Sequence, residues 1–184
     1  NRIKQLKQNI QWEKISKINH RINLSTNIFF DEIGAFFTTL PLTTRMISSP
    51  GALYGKESIK YTTDTSPIKI KWFNIKGNAF LSESSQIYLE FALLQENIDQ
   101  VYSIYNSFRK EPADPTHLSE FHHIEYEGKV NQIRNENVAL NLISRIIKDL
   151  LKYNSDDLEF FIESTKLKEL ENIQNRITTI PRLK

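Results

Sequence analysis

The chain contains no cysteine in 184 residues, which excludes a disulfide framework and a thiolate zinc site. It also lacks any apolar run near twenty residues and any signal-peptide pattern. A membrane-spanning helix is thereby excluded, and the cytoplasm is the default location. A concentrated basic surface is missing as well. Lys and Arg number 24 against 22 Asp and Glu, and the resulting +2 is too small to argue for nucleic acid by electrostatics alone. What is present is a folding composition: 39% apolar over a length that can bury the core of one domain with a helical appendage.

Ile3, Leu6, Ile10, Ile15, Ile18 and Ile22 recur near helical spacing with Lys4, Lys7, Lys14, Lys17 and Arg21 around them. This predicts a basic amphipathic helix over residues 1–22, ahead of a domain over residues 23–184. Such a face lies on a nucleic-acid backbone or a membrane surface, or packs on the core or a partner subunit, and packing is the commoner use. Ser25 is a fair N-cap for a next helix ending at Gly34. Residues 38–66 mix Thr, Ser, Gly and Pro without a period, so they read as short strands and a long loop, with residues 38–47 the best strand. Within them Ser48-Ser49-Pro50-Gly51 is either a plain turn or a substrate-side loop.

Residues 67–73 alternate, Lys76-Gly77-Asn78 supplies a tight turn, and residues 79–81 return, so a hairpin leads into a helix at Ser84. On that helix Gln86 and Glu90 share a face, while Ile87, Leu89, Phe91 and Leu94 pack. Further on, Val138, Leu142, Ile143, Ile146, Ile147, Leu150 and Leu151 predict a helix over residues 135–152. Asn154-Ser155-Asp156-Asp157 then opens another, reaching about residue 171. Both read as scaffold.

Between these parts lies the stretch richest in chemistry. Residues 102–108 alternate into a strand that places Ser103, Tyr105, Ser107 and Arg109 together, with Arg109 at the strand end. After a loop bearing Pro and Asp, a second strand returns. Spacing of two puts His117, Ser119, Phe121, His123, Glu125 and Glu127 on one face, with Leu118, Ile124 and Tyr126 on an apolar, packed face behind. Imidazoles and carboxylates are costly to bury without partners, so the charged face is a candidate site. His117, His123 and Glu125 carry metal-ligating types. Residues six and eight apart on a strand are roughly 20 and 26 Å distant at ~3.3 Å per residue, which is too far to share one zinc ion.

Phe108-Arg109-Lys110-Glu111 with His117-Leu118-Ser119-Glu120-Phe121 resembles motif 2 of the class II aminoacyl-tRNA synthetases, in the aspartyl, asparaginyl and lysyl branch. Ser84-Ser85-Gln86-Ile87-Tyr88-Leu89-Glu90 is similar to that family's Ser-x-Gln-Leu helix start. Phe29-Phe30-Asp31-Glu32-Ile33-Gly34, followed by Leu40-Pro41, resembles its motif 1. The resemblance covers roughly residues 20–130, in the family's order.

It implies an α+β fold, an antiparallel sheet with flanking helices, and a ligase that activates an amino acid with ATP and Mg2+ as an acyl-adenylate. Arg109 would be the catalytic residue, holding the α-phosphate and the amino-acid carboxylate. Glu111 and Phe121 would meet the adenine, and His117 the outer phosphates. Ser84, Gln86, His123 and Glu125 would take the amino acid, with no residue assigned to a metal. A homodimer through the motif 1-like segment is implied too.

Departures narrow the reading. Where aspartyl enzymes have a Lys that neutralises the substrate carboxylate, this chain has Leu89, and Leu89-Glu90 is closer to asparaginyl enzymes. Asparagine, or an aspartate-like relative, is the expected substrate. A Gly-rich motif 3 and an anticodon-binding barrel are not visible, so the synthetase-like core is expected to be partial, as the opening Asn1 also suggests. The acceptor is left among tRNA, ammonia and a small amine. From a different class, the alternative is a non-catalytic homologue that binds a nucleotide or a partner.

Overall fold

The computed structural model describes residues 2–45, 68–71, 74, 76–110 and 112–177. In chain order the elements are α1 (Arg2–Gln8), α2 (Ile10–Glu32), β1 (Phe36–Phe37), β2 (Thr43–Thr44), β3 (Lys69–Ile70), β4 (Ala79–Leu81), α3 (Gln86–Ala92), β5 (Gln100–Phe108), β6 (Glu120–Gly128), α4 (Gln132–Tyr153), α5 (Ser155–Leu158) and α6 (Ser164–Arg176). They form two compact units, one of Asn1–Gly34 with Val130–Lys184 and one of Ala35–Lys129.

The first unit is helical. Asn9 ends α1 and caps α2, its side chain accepting the Gln11 N–H at 3.0 Å. The apolar period then runs on without a breaker to Gly34, whose φ of +76° suits the turn that ends the helix. The division expected at residue 22 therefore falls inside α2. Ser25, expected as an N-cap, is instead an interior residue of α2, buried beside Thr26, whose hydroxyl bonds back to the Ile22 carbonyl at 2.8 Å.

Helix α2 packs along α4, which also carries α6. Helix α4 starts earlier than expected because the Asn131 side chain accepts the Arg134 N–H at 2.9 Å. The single helix expected after Asn154 is two, α5 and α6. Its polar start is held by α2: Lys14 pairs with Asp157 at 3.2 Å, and Arg21 Nε donates to Asn154 Oδ1 at 3.2 Å. Two cations of the basic helix face thus serve packing inside this unit.

The second unit holds two three-stranded sheets, ordered β1-β5-β6 and β2-β4-β3. β5 and β6 pair antiparallel over nine positions, from Gln100 opposite Gly128 to Phe108 opposite Glu120. β1 runs parallel to β5, so the expected antiparallel sheet has one parallel edge. The expected hairpin forms as β3 and β4, with Gly77 at φ +107° in its turn, where an L side chain would be strained. Ser82 N–H donates to the Leu42 carbonyl at 3.0 Å, and Phe108 N–H donates to the Ser82 carbonyl at 2.9 Å, tying the small sheet to the end of β5. Helix α3 lies over β5 and β6 and inserts the fully buried Leu89; Ile87, Phe91 and Leu94, expected to pack with it, are exposed. Residues 46–47 of the expected strand, Ser48-Ser49-Pro50-Gly51, and Pro67, Trp72 and Phe73 lie outside the described residues.

Candidate functional site

β5 and β6 are long, regular and fully paired, so their side chains alternate on fixed faces. One face carries Ser103, Tyr105 and Ser107 from β5 and Phe121, His123, Glu125 and Glu127 from β6, with Tyr105 opposite His123 in register. The N-terminal end of α3 sits on this face. Tyr105 O–H donates to Glu125 Oε2, and the same phenol oxygen accepts the Ser85 N–H at 2.9 Å. Ser84 Oγ donates to Glu125 Oε1 at 3.3 Å and also accepts the Gln86 N–H at 3.3 Å. His123 Nδ1 lies 3.3 Å from the Tyr105 oxygen. Beneath them Ser82 and Ser85 share a hydroxyl bond of 2.8 Å, and the Ser107 hydroxyl donates to the Glu83 carbonyl.

This polar face is covered by α3, and on the other face, expected to be apolar and packed, Tyr126 is half-buried and Tyr102 opposite it buried while the end around Ile124 is exposed. Leu118 is 65% exposed and Ile124 36%. The polar face can be covered because α3 brings its own donors and acceptors, so that buried hydroxyls and carboxylates satisfy one another.

Burial shifts the titrating groups. The Tyr105 phenol is pushed up to about 12, first by burial and then by its bond to the Glu125 carboxylate. His123 is held below its ordinary value by burial, reinforced by Arg109 and opposed by Glu125. Glu127 is raised by burial, by the like charge of Glu90 and by Glu125, against a lowering bond from Gln86.

Arg109 stands at the end of β5. Its N–H donates to the Ser119 carbonyl at 2.8 Å, extending the ladder one step beyond the strands. The guanidinium carbon is 5.6 Å from the centre of the Phe121 ring, and Phe121 meets His123 edge-on at 5.0 Å. Arg109 Nε is buried and has no hydrogen-bond partner among the described residues. A buried donor left unpaired costs about 1–3 kcal/mol.

His117 is not on the strand face where spacing of two places it. It belongs to the loop before β6, because Asp114 folds the chain into a local turn. The Asp114 carboxylate accepts the Thr116 N–H at 2.7 Å, the His117 N–H at 2.8 Å and His117 Nδ1 at 3.0 Å. Those bonds, led by the Thr116 N–H, hold Asp114 down to about 2. Glu111 lies outside the described residues. Ser84, Gln86, Arg109, Phe121, His123 and Glu125 are brought together within one unit.

A family model of class II tRNA synthetases (D, K and N) matches residues 1–182. The chain belongs to this family. The asparagine–tRNA ligase of Borreliella burgdorferi is 27% identical over 171 residues, covering 88% of this chain and 36% of that protein. The corresponding ligase of Thermococcus gammatolerans is 31% identical over 117 residues, or 62% of this chain and 25% of that protein. Among solved structures, asparaginyl-tRNA synthetase from Pyrococcus horikoshii complexed with asparaginyl-adenylate superposes with a TM-score of 0.73 at 23% identity, over 96% of this chain and 40% of that one. This class II synthetase chain therefore spans little more than a third of the length of the first of these relatives.

Two residues on this face, Tyr105 and Glu127, were placed by strand spacing but given no role from the sequence. Tyr105 carries a signal: it lies four residues before Arg109 on the same strand face and opposite His123. Glu127 is the last of the alternating face, and what distinguishes it is its meeting with Gln86 and Glu90 of α3, a contact that no spacing along one strand reveals.

Proposed function

We propose that this chain is the adenylate-forming part of a ligase that activates asparagine with ATP and passes the acyl group to tRNA. The observation that carries the reading is the Arg109 guanidinium beside the Phe121 ring, its buried Nε without a partner among the described residues, inside a chain matched by the class II family model over residues 1–182. Joining a carboxylate to an α-phosphate brings two anions together. A planar guanidinium that bonds oxygens of both lowers their repulsion and aligns the in-line attack.

In this reading Phe121 holds the adenine by its aromatic face, Glu111 approaches the adenine amino group, and His117 at the loop tip meets the outer phosphates. Ser84 and Gln86 contact the amino acid, while His123 and Glu125 take its amino end. Leu89 is fully buried and supplies no cation for a substrate carboxylate, which favours the amide side chain of asparagine. Magnesium, when bound with the phosphates, would supply neutralisation of their charge. Among the described residues no three His, Cys, Asp or Glu converge on a metal, and none is assigned to hold it.

Transfer to tRNA is favoured over ammonia or a small amine because the matched relatives are named asparagine–tRNA ligases. The segment around Phe36 and Phe37, both more than half exposed, is assigned to pairing with a second copy. No helix among the described residues is long and apolar enough to cross a membrane, and the cytoplasm is the proposed location.

The test is amino-acid-dependent exchange of pyrophosphate into ATP, run across the standard amino acids. Exchange with asparagine supports the reading. Silence with ATP binding retained would replace it with a nucleotide- or partner-binding role.

A further inference from the structure

The phenol oxygen of Tyr105 has one proton and two lone pairs, and four neighbours bear on them: the Ser85 N–H, Glu125, His123 and the Ser84 hydroxyl, whose single proton goes to Glu125 Oε1 at 3.3 Å. The Ser85 main-chain N–H, 2.9 Å away, can only donate, so it takes one lone pair. Glu125 already accepts the Ser84 hydroxyl and, as a carboxylate, can only accept, so it takes the phenolic proton. One lone pair remains, and His123 Nδ1 faces it at 3.3 Å. That nitrogen must then carry a proton.

We propose that Tyr105 is a positioning residue of the amino-acid subsite: it fixes His123 with its proton on Nδ1 and its Nε2 bare, and it clamps Glu125, so that both present acceptors to a substrate ammonium. The proposal rests on the adenylate-forming reading for the identity of that ammonium. The ring itself rests on geometry. His123 is gripped edge-on by Tyr105 at 5.6 Å and by Phe121 at 5.0 Å, which leaves it little freedom to turn over. Among the described residues, nothing bonds its Nε2.

The charges that bear on the ring are Arg109, which disfavours a second proton, and Glu125, which favours one; burial adds to the first and keeps the ring neutral. A neutral ring has a single proton, so fixing Nδ1–H leaves Nε2 as a pure acceptor. An α-ammonium offers three donors in a fan. Nε2 and the two Glu125 oxygens, each with a lone pair left after Tyr105 and Ser84, offer it three acceptors. Nothing in Glu125 or His123 alone sets this arrangement; one hydroxyl sets both.

The experiment is a long-range nitrogen–proton correlation spectrum of the histidine rings in the full chain, which distinguishes the two neutral tautomers, with and without Tyr105→Phe. The expected result is a protonated Nδ1 and bare Nε2 for His123 in the unaltered chain, lost or mixed in Tyr105→Phe, whose ring keeps the packing. A proton on Nε2 in the unaltered chain, or an unchanged spectrum in the variant, overturns the proposal.

Pyrophosphate exchange supplies the second readout. Tyr105→Phe should raise KM for the amino acid about tenfold, as the loss of one hydrogen-bonded arrangement would, and leave KM for ATP within about twofold. An equal rise in both overturns the role in the amino-acid subsite. Absence of exchange in the unaltered chain, with the expected ring spectrum, overturns the substrate half alone and identifies the adenylation reading as what failed.

Discussion

Replacing Arg109 with Ala should lower activity sharply and leave stability unchanged or raised, and the structure explains why the two separate. The main chain at this position is held by the Arg109 N–H bond to the Ser119 carbonyl, which Ala keeps. The side chain contributes a cation–aromatic contact at 5.6 Å to Phe121, worth about 0.5–1 kcal/mol at a partly open site. Against this, its buried Nε has no partner among the described residues, and an unmet donor costs about 1–3 kcal/mol. Relief of the unmet donor equals or outweighs loss of the contact, by about 0 to 2.5 kcal/mol, so the denaturation midpoint should lie at or above that of the unaltered chain. In the adenylation transition state the same guanidinium meets two anions. Removing such a donor costs about 2.7–4 kcal/mol, or about 10²–10³-fold in rate. Urea titration and amino-acid-dependent pyrophosphate exchange on the same preparation separate the two effects. A fall in stability of about 3 kcal/mol alongside the loss of rate would make Arg109 a structural residue; that size is typical of broken buried networks. A rate within about tenfold of the unaltered chain would remove it from the chemistry.

Glu127→Gln tests the burial of this carboxylate beside Glu90 and Glu125. Its folded pKa is raised, so the protonated form suits the fold, and the stability this contributes is present below the unfolded value of 4.5 and lost as pH rises through the folded one. The variant should therefore show a higher urea midpoint than the unaltered chain at pH 8, with the gain disappearing toward pH 4; a gain independent of pH would contradict the assigned cause. Leu89→Ala empties the only fully buried large side chain that α3 provides among the described residues, and should cost about 2–5 kcal/mol in urea unfolding. A cost below about 1 kcal/mol would mean that α3 is not anchored through this residue.

Local spacing along one strand carried much of the site. Alternation set Arg109 with Ser103, Tyr105 and Ser107 on one face of the first strand and Phe121, His123 and Glu125 on one face of the second, and the pairing of the two strands joins these faces. What spacing cannot register is the layer above the sheet. Both faces of β6 mix polar and apolar residues, and only the arrival of Ser84, Ser85 and Gln86 at the start of α3 decides that the carboxylate face is covered. His117 was misplaced because the strand period was carried past its start, where Asp114 bonds override it with a turn. Ser25 erred in the opposite direction. A good capping type was read as a boundary, although the apolar period continued through it and tertiary burial took precedence over local preference.

The central claim, that this face holds an aminoacyl-adenylate, is tested most directly by calorimetric titration of the chain with a non-hydrolysable sulfamoyl analogue of asparaginyl-adenylate. One site per chain is expected, competed by ATP and by asparagine separately and weakened by Arg109→Ala. No binding, or binding that asparagine and the Arg109 substitution leave untouched, would contradict it.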